Sequence, residues 1–306
     1  MRAVSYLFPG QGAQYVGMGQ DLYQQFPEAR AVFDQADQIL GFDLSGLIFS
    51  GPAEQLTETI NCQVAVFTVS IACLRSLQAA RFDWDVKYTA GLSLGEYTAL
   101  VAAGAMDFSA GLRLLRQRAE FMEAAAQQNP GGMVSLIGLA PEAVRQICLQ
   151  TKTEIANLNC PGQVVISGSL SGLDQAKQLA LAQGAKKAIP LNVSGAFHSS
   201  LMEPAKVSLA AVLAQAEISA PRVPVISNVT AVQEDSAAEI KDNLARQVAA
   251  GTRWEDSIRF ISSRGTRRFL EIGPGKVLKG LLRKIDPELQ VDNIGTAEDL
   301  ERLKRG

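Results

Sequence analysis

The stretch TAGLSLGEYT, residues 89–98, is the most informative in the chain. Within it, residues 91–95 read G-x-S-x-G, with Ser93 between two glycines. The preceding VKYTA (86–90) is typical of a strand, and the following GEYTALVAAGAM (95–106) is typical of an apolar helix. Strand, sharp turn and helix form the context in which such a serine is presented as a nucleophile. A glycine-rich turn without chemistry is the alternative, and the flanking elements favour the nucleophile.

The composition indicates a soluble globular protein. Its 306 residues fit about two domains, or one large domain with an insertion. Apolar residues make up 47% and charged residues 20%, which is ordinary for a globular chain. Because the formal net charge is only -2, we expect neither a nucleic acid nor a membrane as partner. The apolar run in MRAVSYLFPG (1–10) is too short for a signal peptide.

The longest apolar stretch and the cysteines are typical of a protein in the cytoplasm. VAVFTVSIACL (64–74) is too short to span a bilayer, so we predict a buried helix there. The chain has one histidine, His198, and four scattered cysteines at Cys62, Cys73, Cys148 and Cys160. Such a set lacks the clustered ligands of a zinc site and is typical of reduced thiols. We therefore expect a cytoplasmic protein without a metal, and we take it to be a monomer.

A small unit is inserted into a larger one. Between NPGG (129–132) and about residue 193, the pattern predicts strand, helix, two strands, helix and strand, which is the ferredoxin-like order. Strands are also predicted at 3–8, 223–229 and 267–273, with a long helical stretch between the last two. We therefore predict an α/β fold. Its large catalytic domain comprises residues 1–129 and 195–306, and its ferredoxin-like subdomain comprises residues 130–194.

A serine nucleophile requires a base and donors for the oxyanion. With one histidine in the chain, an imidazole base for Ser93 must be His198, in SGAFHSSLMEP (194–204). A surface or capping histidine is the alternative. The backbone N–H of Leu94, directly after the serine, is the natural first oxyanion donor. FPGQGAQ (8–14) follows the first strand and offers the N–H of Gln11 as a second donor, unless it forms a simple turn.

An arginine lies on the apolar side of a predicted helix. DFSAGLRLLRQRAEFMEAAAQ (107–127) has helical periodicity, with Asp107 or Ser109 as its N-cap. Arg118 falls inside the apolar half, among Leu112, Leu114, Leu115, Ala119, Phe121, Met122 and Ala126. A buried guanidinium requires a partner, and its planar fork suits a carboxylate. That partner is either a buried Asp or Glu of the protein or a carboxylate of the substrate, and helix geometry favours neither.

Five separated motifs resemble one family. They are FPGQGAQYVGMG (8–19), GLSLGEYTALVAAGA (91–105), QRAEFM (117–122), GAFHSSLM (195–202) and EIGPGKVLKGL (271–281). Together they are similar to the malonyl-CoA:acyl-carrier-protein transacylase family, whose members act in fatty-acid synthesis or polyketide assembly. The resemblance covers nearly the whole chain in the family's motif order. It implies an α/β-hydrolase-like core with a ferredoxin-like insert.

The resemblance also implies roles for single residues. Ser93 matches the acylated nucleophile and His198 its base, while the backbones of Gln11 and Leu94 match the oxyanion hole. Arg118 matches the arginine that holds the malonyl carboxylate. Gln63 matches a glutamine that lines the pocket, and the backbone carbonyl of Gln247 matches one that orients the histidine in place of an acid. Phe197 matches a residue type found where malonyl is preferred.

One position departs from the family. The residue before the nucleophile is usually histidine, and here it is Leu92. Leucine forms no side-chain hydrogen bond, so this departure affects substrate tuning and leaves the pair of Ser93 and His198 intact.

The implied activity is transfer of a malonyl group from malonyl-CoA to the phosphopantetheine thiol of an acyl carrier protein. It needs no dissociable cofactor, because coenzyme A is part of the substrate. One alternative is an acyl hydrolase that edits carrier-protein thioesters, but a hydrolase of uncharged chains has no use for Arg118. The other is a non-catalytic docking domain of a synthase, which has no need of both Ser93 and His198.

Overall fold

The computed structural model describes residues 2–305. Its strands are β1 Arg2–Phe8, β2 Trp84–Gly91, β3 Gly132–Ile137, β4 Glu154–Cys160, β5 Gln163–Gly168, β6 Lys187–Pro190, β7 Val225–Ile226, β8 Gln233–Glu234, β9 Arg268–Ile272 and β10 Gln290–Ile294. Its helices are α1 Gln20–Gln25, α2 Pro27–Leu40, α3 Leu44–Ser50, α4 Ala53–Thr57, α5 Thr59–Ala79, α6 Gly95–Ala102, α7 Phe108–Gln128, α8 Pro141–Thr151, α9 Leu170–Ala182, α10 Glu203–Gln215, α11 Ala237–Gln247, α12 Trp254–Ser263, α13 Val277–Ile285 and α14 Ala297–Arg305.

The larger sheet is mostly parallel. Its strand order within residues 2–305 is β10-β9-β1-β2-β7-β8, and only β7 and β8 pair antiparallel. The central strands β1 and β2 end side by side, with Phe8 opposite Gly91. The segments that follow both strands therefore leave the same edge of the sheet, which is where ligands bind in open parallel sheets.

Helix α5 is the central helix of the larger unit. It is 21 residues long, and nearly all of its side chains are buried, from Thr59 to Leu77. Within residues 2–305 it is the one helix long and apolar enough to cross a membrane, yet 89% of its apolar window is buried in the protein. The predicted buried helix is thus confirmed, although the helix is longer than the apolar stretch 64–74.

The smaller sheet is antiparallel, in the order β4-β5-β3-β6. Helices α8 and α9 pack on it around a separate core that includes Val134, Val144, Ile166 and Ala176. Strand β4 also connects the smaller sheet to the larger unit, because Asn157 forms a parallel bridge with Thr252. Residues 2–305 therefore form a mixed α/β protein with two sheets.

Several predicted elements differ in extent. The last strand of the smaller sheet covers only Lys187–Pro190, and the strand predicted at 223–229 covers only Val225–Ile226. The long helical stretch is two helices, because the chain around Thr252 leaves helical geometry to pair with β4. Strand β10 is absent from the prediction, since polar side chains such as buried Asn293 hide its pattern.

Candidate active site

Ser93 lies in the tight turn between β2 and α6. Its φ is 54°, in the left-handed region that a non-glycine residue rarely adopts. The two glycines of the motif are required by close packing. A Cβ on Gly91 would lie 1.9 Å from the carbonyl of Gly95, and one on Gly95 would lie 2.3 Å from the carbonyl oxygen of Phe8. The turn therefore holds Ser93 in a strained backbone geometry, which is what a nucleophile elbow requires.

His198 is positioned as the base of Ser93. Its Nε2 lies 2.9 Å from Ser93 Oγ, and its Nδ1 lies 2.8 Å from the backbone carbonyl oxygen of Gln247. Because a carbonyl only accepts, Nδ1 carries the hydrogen and Nε2 accepts from the serine hydroxyl. Burial, aided by the charge of Arg118, lowers the pKa of His198 to about 4. The imidazole is therefore neutral at pH 7 and able to take a proton.

Arg118 is buried beside the nucleophile. It is 1% exposed, on the apolar side of α7, whose N-cap is Asp107. Its Nη2 donates to Ser93 Oγ at 3.0 Å and to Gln247 Oε1 at 2.9 Å, and its Nη1 donates to Gln63 Oε1. Its Nε has no hydrogen-bond partner.

The partners of Arg118 are neutral. Among residues 2–305, no carboxylate forms an ion pair with its guanidinium. A protein carboxylate in direct contact, one of the two partners considered for this arginine, is therefore not what the fold provides. Burial lowers the pKa of Arg118, and a guanidinium stays charged even so.

A cavity of about 500 Å³ opens in front of these side chains. The smaller sheet contributes Met133, Ser135 and Val165 to its wall, so the cavity lies between the two sheets. Seven of the nine predicted site residues line it: Gln11, Leu92, Ser93, Leu94, Arg118, Phe197 and His198. The other two, Gln63 and Gln247, are outside its lining and contact Arg118 from behind.

The predicted oxyanion donors are free. Gln11 follows β1 and Leu94 follows Ser93, so both lie at the carboxyl edge of the larger sheet. Across residues 2–305, neither backbone N–H finds a hydrogen-bond acceptor. Gly10 permits the close approach of the two segments, because a Cβ there would lie 2.5 Å from the carbonyl oxygen of Leu92.

The chain is similar to known proteins over nearly its whole length. The acyl transferase domain family matches residues 5–305. The chain belongs to that family. The malonyl CoA-acyl carrier protein transacylase of Bacillus subtilis is 46% identical over 306 residues, covering 98% of this chain and 96% of the relative. The protein of the same name from Escherichia coli is 39% identical over 289 residues, covering 93% of each.

Solved structures agree with these relatives. The acyl-carrier-protein-S-malonyltransferase from Bartonella henselae has a TM-score of 0.95 at 42% identity, covering 100% of this chain and 99% of its own. A malonyl-transacylase in complex with a type II PKS acyl-carrier protein has a TM-score of 0.96 at 37% identity, covering 100% of both chains. The present acyltransferase thus shares its whole fold with malonyltransferases.

Leu92 forms an apolar wall in this acyltransferase. Its side chain is half-buried and packs against the cluster that contains Trp254, Leu278 and Leu281. It also lines the cavity next to Ser93. A substrate atom passing this position therefore meets hydrocarbon and no hydrogen-bonding group.

Two residues of the site have no role predicted from the sequence. Asn228 accepts from the Ser93 N–H through Oδ1 at 2.7 Å and donates through Nδ2 to the Gly91 carbonyl at 2.7 Å. Glu96 is fully buried and accepts from the backbone N–H of Asn228 at 2.9 Å. A carboxylate in an otherwise apolar helix is a usable signal for Glu96. No local pattern indicates Asn228, because it contacts Ser93 from 135 residues further along the chain.

Proposed function

We propose that this acyltransferase moves a malonyl group from malonyl-CoA to the phosphopantetheine thiol of an acyl carrier protein through a malonyl ester of Ser93. The observation that carries the proposal is Arg118. It is a buried cation with neutral protein partners, and it lies 3.0 Å from the nucleophilic oxygen. An acyl group with a free carboxylate supplies the directly contacting anion that this guanidinium lacks. The names of the relatives support the same substrate and acceptor.

In the first half-reaction, His198 Nε2 takes the Ser93 proton as Oγ attacks the thioester carbonyl. The negative charge on the carbonyl oxygen is stabilised by the N–H groups of Gln11 and Leu94, which have no protein acceptor in residues 2–305. The carbon–sulfur bond then breaks, and the coenzyme A sulfur leaves with the proton from His198. A malonyl ester remains on Ser93.

In the second half-reaction, the same groups act on the carrier thiol. His198 takes the proton of the phosphopantetheine thiol, and the sulfur attacks the malonyl ester. The bond to Ser93 Oγ breaks, and the serine regains its proton from His198. The carbonyl of Gln247 holds the imidazole in one tautomer throughout, so no carboxylate is required behind it.

Two further residues shape the acyl pocket. Phe197, directly before the base, is 4% exposed and lines the cavity, where its ring limits the room for a branched acyl group. Gln63 holds Arg118 from the side of α5 and also contacts Met122 Sδ at 3.5 Å. The ring of Phe197 favours malonyl over bulkier acyl groups, and Gln63 fixes the guanidinium that holds the carboxylate.

The proposal also includes the domain division, the cellular location and the oligomeric state. Residues 1–129 and 195–306 form an α/β-hydrolase-like catalytic domain, and residues 130–194 form a ferredoxin-like insert; the order β6-β3-β5-β4 supports the second assignment. The enzyme works in the cytoplasm as a monomer, with no dissociable cofactor. Size-exclusion chromatography with light scattering tests the monomer.

Intact-mass measurement tests the main proposal. Mixed with malonyl-CoA, the enzyme should gain one malonyl group, and Ser93→Ala should gain none. Addition of a phosphopantetheine-loaded acyl carrier protein should then remove the adduct and malonylate the carrier. An adduct that persists in Ser93→Ala excludes Ser93 as the nucleophile. An adduct that only water removes favours the hydrolase.

A further inference from the structure

Glu96 is a buried carboxylate that the two half-reactions leave without a role. It lies in the first turn of α6, three residues after Ser93, and has no exposed surface. Its Oε2 accepts from Gln247 Nε2 and from the Asn228 N–H, each at 2.9 Å. Its Oε1 has no hydrogen-bond partner. One oxygen therefore maintains the structure around the nucleophile, and the other is free to carry a proton.

The side chain of Gln247 joins Glu96 to Arg118. Its Oε1 accepts from Arg118 Nη2 at 2.9 Å, while its Nε2 donates to Glu96 Oε2. The amide dipole thus points from the cation to the carboxylate, with a single amide between them. Because both charges are buried, their attraction is weakly screened.

The other titratable groups around Glu96 keep one charge state near neutral pH. Burial raises the pKa of Tyr97 well above its usual range, and burial with the charge of Glu96 raises that of Glu234 to about 9. The pKa of His198 is lowered to about 4. Burial raises the pKa of Glu96 itself to about 7, against two hydrogen bonds and the charge of Arg118. Glu96 is therefore the member of this set that changes charge near pH 7.

We propose that Glu96 shares Arg118 with the acyl carboxylate, so that loading of a malonyl group moves a proton from solvent onto Glu96 Oε1. The inference rests on the proposed function, in which the malonyl carboxylate binds Arg118. Glu96 touches no substrate atom and acts through Gln247, so it is a positioning residue.

The physical reason is competition of two anions for one cation. A malonyl carboxylate on Arg118 places a second negative charge in the same buried region, and like charges there disfavour each other. Protonation at Oε1 removes one charge and leaves both hydrogen bonds to Oε2 in place. The malonyl carboxylate stays ionised against Arg118, and Gln247 keeps its orientation.

Proton uptake during loading tests this directly. Formation of the ester and release of the coenzyme A thiol are neutral below about pH 8, where the thiol stays protonated. Malonyl-CoA is mixed with the enzyme near pH 7 in weak buffer with a pH indicator, and the adduct is counted by intact mass. We expect a net proton uptake of at most one proton per malonylated Ser93, because the arriving carboxylate raises the pKa of Glu96 further.

The pH dependence of the loading equilibrium gives the number of protons taken up in an independent way. By linkage, malonylation of the wild-type enzyme should become less favourable as the pH rises from about 6 to about 8. The matched variant is Glu96→Gln, whose amide oxygen can keep both hydrogen bonds without a charge. It should show no uptake and a loading equilibrium independent of pH, with a thermal midpoint recorded beside it.

Malonyl adduct without proton uptake in the wild type overturns the inference and leaves the proposed function standing. So does an uptake in Glu96→Gln equal to that of the wild type. Absence of any malonyl adduct overturns the proposed function, and the inference falls with it. The two wild-type measurements can still overturn the inference if Glu96→Gln does not fold.

Discussion

Arg118 is the residue on which the substrate assignment depends. Its hydrogen bonds go to two side-chain amides and to the Ser93 hydroxyl, none of which carries a charge. A buried guanidinium in such surroundings is stabilised when an anion arrives and destabilised when a neutral acyl group fills the same space. We therefore expect the charge of this one side chain to select malonyl over acetyl.

Replacement of Arg118 should reverse that selection. In Arg118→Ala, malonyl transfer should fall, and acetyl transfer should be kept or rise. The malonyl-to-acetyl rate ratio should drop by at least about tenfold, equivalent to about 1.4 kcal/mol. Both transfer rates are measured beside the thermal midpoint. A destabilised variant with an unchanged ratio would mean that Arg118 serves the fold and not the substrate.

His198 gives a pH prediction with a definite sign. Its pKa in the folded enzyme is about 4, below the ordinary 6.5, so the neutral base persists in acid. Single-turnover malonylation should keep its rate from pH 7.5 to about 5 and fall near pH 4. The contribution of the neutral histidine to the free energy of unfolding is fully present above pH 6.5. It decreases as the pH falls from there towards 4. Circular dichroism at each pH separates unfolding from protonation, and a half-maximal rate near pH 6.5 contradicts the assignment.

Single residues could be predicted from sequence when a local pattern carried them. Arg118 was detectable because helical periodicity placed a charge among apolar neighbours, and the structure buries it there. Ser93 was detectable because glycine spacing reflects backbone contacts within the turn. Asn228 and the orientation of the Gln247 amide depend on contacts between distant segments, which no local pattern contains.

At the scale of elements, the turn between β2 and α6 depends on Asn228. One amide holds the N–H of Ser93 and the carbonyl of Gly91, so it fixes both sides of a strained residue. The strain at φ 54° is maintained only while the surroundings hold it.

Asn228→Ala should therefore loosen the nucleophile. It leaves two buried backbone groups without partners, at about 1–3 kcal/mol each, so the thermal midpoint should fall and malonylation should slow at least about tenfold. Asn228→Asp keeps the acceptor for the Ser93 N–H and should lie between Ala and wild type. The two rates are read by rapid-quench mass measurement. An Ala variant as fast as the parent would show that the turn holds its geometry alone.

Elements with strong periodicity were predicted well, and short paired ones were not. Helix α7 matches the sequence analysis closely, since burial on one side sets its pattern. Strands β7 and β8 have two residues each, too few for a period to emerge. Their existence depends on neighbours in the sheet, and the same holds for the break between α11 and α12.

At the scale of the whole molecule, part of the exposed wall of the cavity lies in α13. Val277, which is 43% exposed, and Leu281 line it, and Lys284 Nζ contacts Gln163, another lining residue, at 3.2 Å. The basic residues in and next to this helix form no ion pair within residues 2–305; they are Lys276, Lys279, Arg283 and Lys284. Lys186 and Lys187, near β6, form a second candidate surface.

A carrier protein of the acidic class should dock on one of these surfaces. If the attraction is electrostatic, added salt should slow transfer to the carrier more than loading from malonyl-CoA. Charge reversal of Lys276 and Lys284 should reduce the salt effect if α13 is the docking surface, and reversal of Lys186 and Lys187 serves as the matched comparison. Equal salt sensitivity of both half-reactions would argue against electrostatic docking.

The cavity lies between the two sheets, and its reacting residues and part of its wall come from different segments of the chain. Ser93, His198, Arg118 and Gln11 all lie outside residues 132–190, the segment that builds the smaller sheet. That segment supplies wall positions such as Met133, Ser135 and Val165 and none of the reacting groups. We therefore expect changes in this segment to alter which acyl groups the cavity admits while every reacting group keeps its identity.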